Sequence, residues 1–296
     1  MNAPSGNAAS AKRAAPPAAS AKFTGGLGRR TVSNLAQWCG VLVRPPRAQI
    51  PPVPAAAIGG IVVTSAVIVV TMFLIDSPAR DWARHLPPWF KDAFEQITNA
   101  GLSGWFLVPS GIALLILAAV GSASLPQLTR GVIGALAARF GFLFLAVGAP
   151  GLFGTIIKRL IGRARPYMDA HGSPFTYMPF AWRPEYASMP SGHATTAASA
   201  AIAIGALWPR ARPLMWLYAL IVMFSRVVVL AHHPSDVIAG ALVGFVGADL
   251  VRRAFAARRL VFSPHDLSPY PGPTLRRIWA AARQVAAGTA KNAATP

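Results

Sequence analysis

The sequence predicts an all-α protein, a polytopic bundle of about six membrane-crossing helices, and three observations lead there. Hydrophobic residues make up 54% of the 296, and charged residues only 12%, where a soluble domain carries about a quarter. Apolar runs recur along the chain at lengths near the ~20 residues that a helix needs to cross a bilayer. The basic residues sit between those runs, in the places that set membrane topology.

The elements follow in order. Residues 1–54 are rich in Ala, Pro, Ser, Lys and Arg and are expected to form a disordered basic cytoplasmic tail. They lack the apolar core of a cleaved signal, so the first span is expected to act as an uncleaved anchor. Spans are expected near 55–75, 105–120, 141–157, 194–208, 214–230 and 237–251. The fourth is nearly a run of alanines, and the sixth carries Gly240 and Gly244 at a spacing that favours close helix packing. Residues 80–97 mix Trp82, Trp89, Phe90, Phe94 and Ile97 with charges, as an interfacial helix would. The segment 252–296 is expected to be a basic cytoplasmic tail, in which 275–286 reads equally as an amphipathic helix on the inner leaflet or as loosely ordered chain.

A formal net charge of +19 could suggest nucleic acid. Nucleic-acid binders, however, display their charge on a water-exposed face. Here the segments on one side of the six spans hold 19 of the 28 basic residues, which places both termini inside and leaves seven of the nine acidic residues outside. The single cysteine, Cys39, excludes an internal disulfide and a cysteine-rich metal site. Oligomeric state is not encoded in any readable pattern.

Three polar patches stand at span ends: Lys158 to Pro166, Met189 to His193, and Ser225 to Asp236. A chain that crosses in order brings all three to one face, the outer one. Lys158, Arg165 and Arg226 then concentrate positive charge at the membrane surface, which calls for an anion. Ser191 suits a helix N-cap, and Gly192 follows it in a first turn whose free N–H groups attract anions. Arg226 lies inside an apolar span and needs a partner. His232 can act as a nucleophile if Asp236, one short turn away, fixes its tautomer. His193 can supply a proton to a leaving oxygen. Arg159 and Arg163 add charge to the first patch and are expected to be solvated.

These residues give K-x6-R-P, then P-S-G-H, then S-R-x5-H-x3-D, in order and intact. At them the sequence resembles the type 2 phosphatidic acid phosphatase (PAP2) superfamily. The resemblance spans roughly residues 55–250. It implies that His232 becomes phosphorylated, that Asp236 orients it, and that His193 protonates the leaving group. It implies that Lys158, Arg165, Ser191, Gly192 and Arg226 hold the phosphoryl oxygens, with no metal or other cofactor. His233 adjoins His232, and spacing alone selects His232. The expected function is hydrolysis of a lipid phosphomonoester or pyrophosphate at the periplasmic face of a bacterial inner membrane. Candidate substrates are phosphatidate, phosphatidylglycerol phosphate, undecaprenyl pyrophosphate and lipid A phosphate. Transfer of the phosphoryl group to a hydroxyl acceptor, and a non-enzymatic membrane role, stay open as alternatives.

Overall fold

The computed structural model describes residues 26–168 and 173–293. The described residues form ten α-helices and no named strand. These are α1 (Leu27–Val43), α2 (Ala55–Leu74), α3 (Asp76–Arg84), α4 (Pro88–Thr98), α5 (Gly104–Val120), α6 (Gln127–Ile161), α7 (Gly192–Leu207), α8 (Arg212–Val228), α9 (Pro234–Ala257) and α10 (Leu275–Ala293). Helices α2, α6 and α9 and the stretches Pro88–Val120 and Pro209–Val228 are long and apolar enough to cross a membrane, and α7 is a shorter apolar helix. Helices stand at all six expected positions, in order as α2 and α5–α9, and five of them lie in stretches long enough to cross.

Helix α2 shows how lipid replaces water as the solvent. Val62, Val63, Val69, Val70, Phe73 and Leu74 all stay exposed on it. Such a surface would aggregate in water but suits hydrocarbon. Helix α7 is the opposite case. Its 16 residues rise only about 24 Å, and 11 of them are buried. It is the central helix, packed against α6, α8 and α9. It meets protein rather than lipid, and the small side chains of its alanines let its neighbours close in.

The closest approach is between α7 and α9. A methyl group added at Gly240 would lie 2.4 Å from the Ser191 carbonyl oxygen, and one at Gly244 would lie 2.4 Å from that of Thr195. Ser199 Oγ donates to Gly244 O at 3.3 Å across the same seam. Gly240→Val is expected to cost about 3 kcal/mol through overpacking and to lower the thermal midpoint in detergent by several degrees. An unchanged midpoint would show that the seam can open without loss.

Four expectations about the ends and connections change. Within the segment read as a disordered tail, Leu27–Val43 is helical, while residues 1–25 lie outside the described residues. Helix α1 docks on α5, where Asn34 Nδ2 donates to Ala118 O and Gly121 O at 2.8 and 3.0 Å. The third span starts earlier than expected, because α6 runs for 35 residues. The interfacial helix at 80–97 is two helices, α3 and α4, broken before the Pro87-Pro88 pair. The last span continues to Ala257, beyond the expected end at 251. The residues after it fold back: Phe262 is fully buried and its ring lies 4.7 Å from that of Phe142. Helix α10 covers the expected amphipathic stretch and packs on α6, with Thr129 donating to Gln284.

Candidate active site

Every sequence-predicted site residue lies at one end of the bundle, and local chain geometry puts it there. Helix α6 stops at Gly162, which takes the left-handed conformation at φ 62°. Only glycine adopts this conformation freely. The chain then runs extended, with Arg163 bridging to Tyr177, Ala164 N–H donating to Thr176 O (2.9 Å) and Arg165 N–H donating to Glu185 O (2.9 Å). Lys158, one turn before the stop, reaches over the start of α7: its Nζ lies 3.5 Å from where a methyl on Gly192 would be. Ser191 caps α7 by accepting from Ala194 N–H at 3.5 Å. Its own N–H donates to Asp236 O at 2.9 Å, which ties the α7 and α9 N-termini together.

At the end of α8, Leu230 adopts φ 55°, an unfavourable conformation for a branched side chain. The turn is held because Ala231 and His232 N–H both donate to Arg226 O, at 3.1 and 3.2 Å. His232 is thereby drawn back into the bundle and is 3% exposed. Arg226 is also buried, and its Nη1 donates to Thr98 Oγ1. Ser225 Oγ donates to the same Thr98 oxygen at 3.1 Å. The partner that Arg226 needs is thus a threonine at the end of α4, a residue the sequence did not single out. Arg226 Nε and His232 Nδ1 are buried polar atoms with no protein hydrogen-bond partner among the described residues.

His193, in the first turn of α7, packs beside the α4–α5 connection. A methyl added at Gly101 would lie 2.9 Å from its Cδ2. The connection itself is pinned: Trp105 Nε1 donates to Asn99 O at 2.9 Å, and Tyr218 OH to Ala100 O at 2.9 Å.

The charges around the two adjacent histidines differ. Burial holds the His232 pKa well below its ordinary value, and Arg165, Lys158, Arg226 and His193 lower it further. Burial lowers the pKa of His233 too, but Asp236 and Asp76 pull the other way. Cations thus dominate the charge around His232, while at His233 two carboxylates act against Arg163 and Arg80.

Asp236 lies near His232 without a hydrogen bond to it: Oδ2 is 4.0 Å from Nδ1. Its oxygens are otherwise engaged. Oδ2 accepts from Ser188 Oγ at 2.5 Å and from His233 N–H at 2.9 Å, and Oδ1 accepts from Arg163 Nη1 at 2.6 Å. Arg163, expected to be solvated, is fully buried. Its Nη2 meets Asp76 Oδ2 at 2.8 Å, and Asp76, at the start of α3, is fully buried as well. Burial weakens the Arg163 charge, but Asp236 and Asp76 outweigh it, so its pKa is raised. Arg159 stays at the rim, where its guanidinium lies 5.5 Å from the Trp182 ring centre. The exposed aromatic rings of Tyr167, Phe175, Phe180 and Trp182 border the same side. Residues 169–172 of this loop lie outside the described residues.

Comparison with known proteins identifies the family. The family model of the PAP2 superfamily matches residues 139–260, which include all three polar patches. The chain is 33% identical over 219 residues to a lipid A 1-phosphatase of Rhizobium johnstonii, covering 73% of this chain and 87% of that one. It is 32% identical over 219 residues to a lipid A 1-phosphatase of Rhizobium etli, covering 73% and 91%. Among solved structures, a transmembrane PAP2 type phosphatidylglycerolphosphate phosphatase from Bacillus subtilis aligns at a TM-score of 0.41 and 22% identity, over 75% of this chain and 94% of that one. The chain belongs to the PAP2 superfamily and is a phosphatase built as a multi-pass membrane protein.

Proposed function

We propose that this phosphatase hydrolyses a lipid phosphate through a phosphohistidine at His232. The observation that carries the reading is a buried imidazole, held neutral, with Lys158, Arg165 and Arg226 around it. Neutral His232 attacks phosphorus through one ring nitrogen. His193 gives a proton to the departing oxygen. Lys158, Arg165, Arg226, the Ser191 hydroxyl and the Gly192 N–H stabilise the charge that develops on the equatorial oxygens. Water then attacks phosphorus, giving a proton back to His193, and the phosphorus–nitrogen bond breaks to release phosphate and neutral His232. Apart from Asp236, whose oxygens are already engaged, the side chains around His232 are cations and imidazoles, a poor donor set for a hard divalent ion, so turnover is expected to survive EDTA.

The substrate proposed is lipid A carrying a phosphate at the 1-position, the substrate named for the two Rhizobium relatives. The exposed aromatic rim suits a membrane-interface position. The Lys/Arg distribution supports cytoplasmic termini and a site on the periplasmic face of an inner membrane. Residues 55–257 form the proposed catalytic unit, with α1 and the segment after α9 on the cytoplasmic side.

The test is phosphate release by purified protein in detergent, with EDTA present, from lipid A, phosphatidate, phosphatidylglycerol phosphate and undecaprenyl pyrophosphate. Lipid A is expected to be the best substrate, with vanadate inhibiting. Preference for another lipid would reassign the substrate. A phosphorylated acceptor in place of free phosphate would make the protein a phosphotransferase.

The pH dependence follows from the lowered His232 pKa. Protonation removes the nucleophile, and a pKa below 6.5 keeps the ring neutral into acid solution. The acid limb of kcat/KM, which reports the free enzyme, is expected below about pH 6 once the substrate's own second ionisation near 6 is allowed for. A nucleophile-dependent midpoint at 6.5 or above would contradict the buried, cation-flanked placement.

A further inference from the structure

Arg163 lies between two carboxylates, and nothing in the three-patch mechanism uses it. Arg163, Asp76 and Asp236 side chains are all fully buried. Arg163 Nη2 donates to Asp76 Oδ2 at 2.8 Å, Nη1 to Asp236 Oδ1 at 2.6 Å and to Ser235 Oγ at 2.7 Å, and Nε to Pro174 O at 3.0 Å. Ser235 closes the ring: its N–H donates to Asp76 Oδ1 at 3.0 Å and its hydroxyl to Asp76 Oδ2 at 2.5 Å. Asp76 opens α3, just after the first span, and lies outside the residues that the family model matches.

We infer that Asp76, Arg163 and Ser235 form a positioning unit for Asp236, fixing its carboxylate beside His232 and leaving the group one net negative charge. The inference rests on the phosphohistidine reading above. Two carboxylates on one guanidinium sum to a single surplus anion. A mere tie between the first and last spans needs only one carboxylate, and a buried ion pair is a weak source of stability. The second carboxylate leaves the unit anionic at a place where Lys158, Arg165 and Arg226 make the surroundings cationic.

The chemistry gives that charge a use. When a ring nitrogen of His232 bonds to phosphorus and the phosphorus–oxygen bond breaks, the leaving oxygen takes its proton from His193. The other ring nitrogen keeps its own hydrogen, so the phosphorylated ring carries positive charge. A carboxylate 4.0 Å away in the resting site stabilises that charge if it cannot swing toward the cations. Arg163, itself held by Asp76 and Ser235, grips it from one side, and Ser188 and the His233 N–H from the other.

The test uses the full chain in detergent and measures kcat, KM, vanadate inhibition and thermal midpoint for wild type, His232→Ala, Asp76→Asn and the double variant Asp76→Asn/Arg163→Gln. Asp76→Asn keeps the shape of the side chain and takes the unit from one net negative charge to none. It is expected to lower kcat by about tenfold or more while KM and vanadate inhibition stay within about twofold. The double variant restores one net negative charge and is expected to recover part of the lost kcat. It also keeps the test decisive if the single variant does not fold. A lower midpoint with unchanged kcat would reduce the unit to a structural tie and overturn the inference. So would a rise in KM and weaker vanadate inhibition at constant kcat, which would place the unit in the anion site. An additive loss in the double variant would also overturn the charge argument. Wild type without phosphate release, or full activity in His232→Ala, removes the phosphohistidine reading and this inference with it. If both controls hold and Asp76→Asn is unchanged, only the inference falls.

Discussion

His232→Ala is expected to lower phosphate release by at least ~10⁴-fold, because loss of a covalent nucleophile removes the reaction path itself. Substrate binding is expected to persist, since Lys158, Arg165, Arg226 and the α7 N-terminus remain. His233→Ala is the informative companion. Both histidines are buried, at 3% and 2% exposure, so burial does not separate them. Their charged neighbours do: Arg165, Lys158 and Arg226 all lower the His232 pKa, whereas at His233 Asp236 and Asp76 act against Arg163 and Arg80. The hydrogen bond that the Asp236 carboxylate takes from His233 comes from a backbone N–H, which alanine retains. His233→Ala is expected to cost less than about tenfold in kcat/KM, as for a residue outside the reacting set. If His233→Ala abolished turnover and His232→Ala did not, the nucleophile would be the other ring.

Gly162→Ala is expected to cost at least ~10² in kcat/KM, the penalty for misplacing reacting groups by about 1 Å. Two effects combine at this position. Its φ of 62° lies in the left-handed region, which costs an L-residue about 1–2 kcal/mol. In addition, a methyl there would lie 1.8 Å from Met178 O and 2.3 Å from its carbonyl carbon. Both obstacles are backbone, so no side chain can swing aside. The peptide must rotate, which breaks the 2.7 Å hydrogen bond from Met178 N–H to Gly162 O. Arg163 and Arg165 follow within three residues, and their placement is lost together. Because the transmembrane helices do not depend on this turn, the variant is expected to insert and purify while losing activity. Wild-type kcat/KM in Gly162→Ala would show that the turn does not set the arginine positions.

How far the sequence was legible depended on the range of the interaction. The spans could be read because hydrocarbon demands long apolar helices wherever a chain crosses it. Lys158, Ser191, Arg226, His232 and Asp236 could be gathered at one end because an ordered crossing sorts span ends into two faces. Helix α1 was missed because the composition of its surroundings reads as a tail, although Leu35, Trp38 and Leu42, which pack along one apolar cavity, recur at helical spacing. Its docking partner is α5, far along the chain. The Arg163 network was missed for a similar reason. Arg163 and Asp76 are 87 residues apart, each looks like an ordinary charge beside a span end, and only the fold shows that each buries the other. Thr98 carried no signal beyond the demand of Arg226 for a partner, and a hydroxyl is not the partner that charge pairing suggests. Asp236 was read as the residue that orients His232. The structure places it close by but engaged elsewhere, because a short turn fixes proximity and not hydrogen-bond geometry.

The central claim is a covalent phosphate on His232, and trapping it is the most direct test. Purified protein is mixed with lipid A labelled in its 1-phosphate and quenched in alkali within one turnover, because phosphohistidine survives base. The protein is then digested and its labelled peptides are sequenced by mass spectrometry. Label on His232 that disappears on a chase with unlabelled substrate, and is absent from His232→Ala, is the predicted result. Full turnover with no label on the protein at any quench time, or label on His193 or His233 instead, would contradict it.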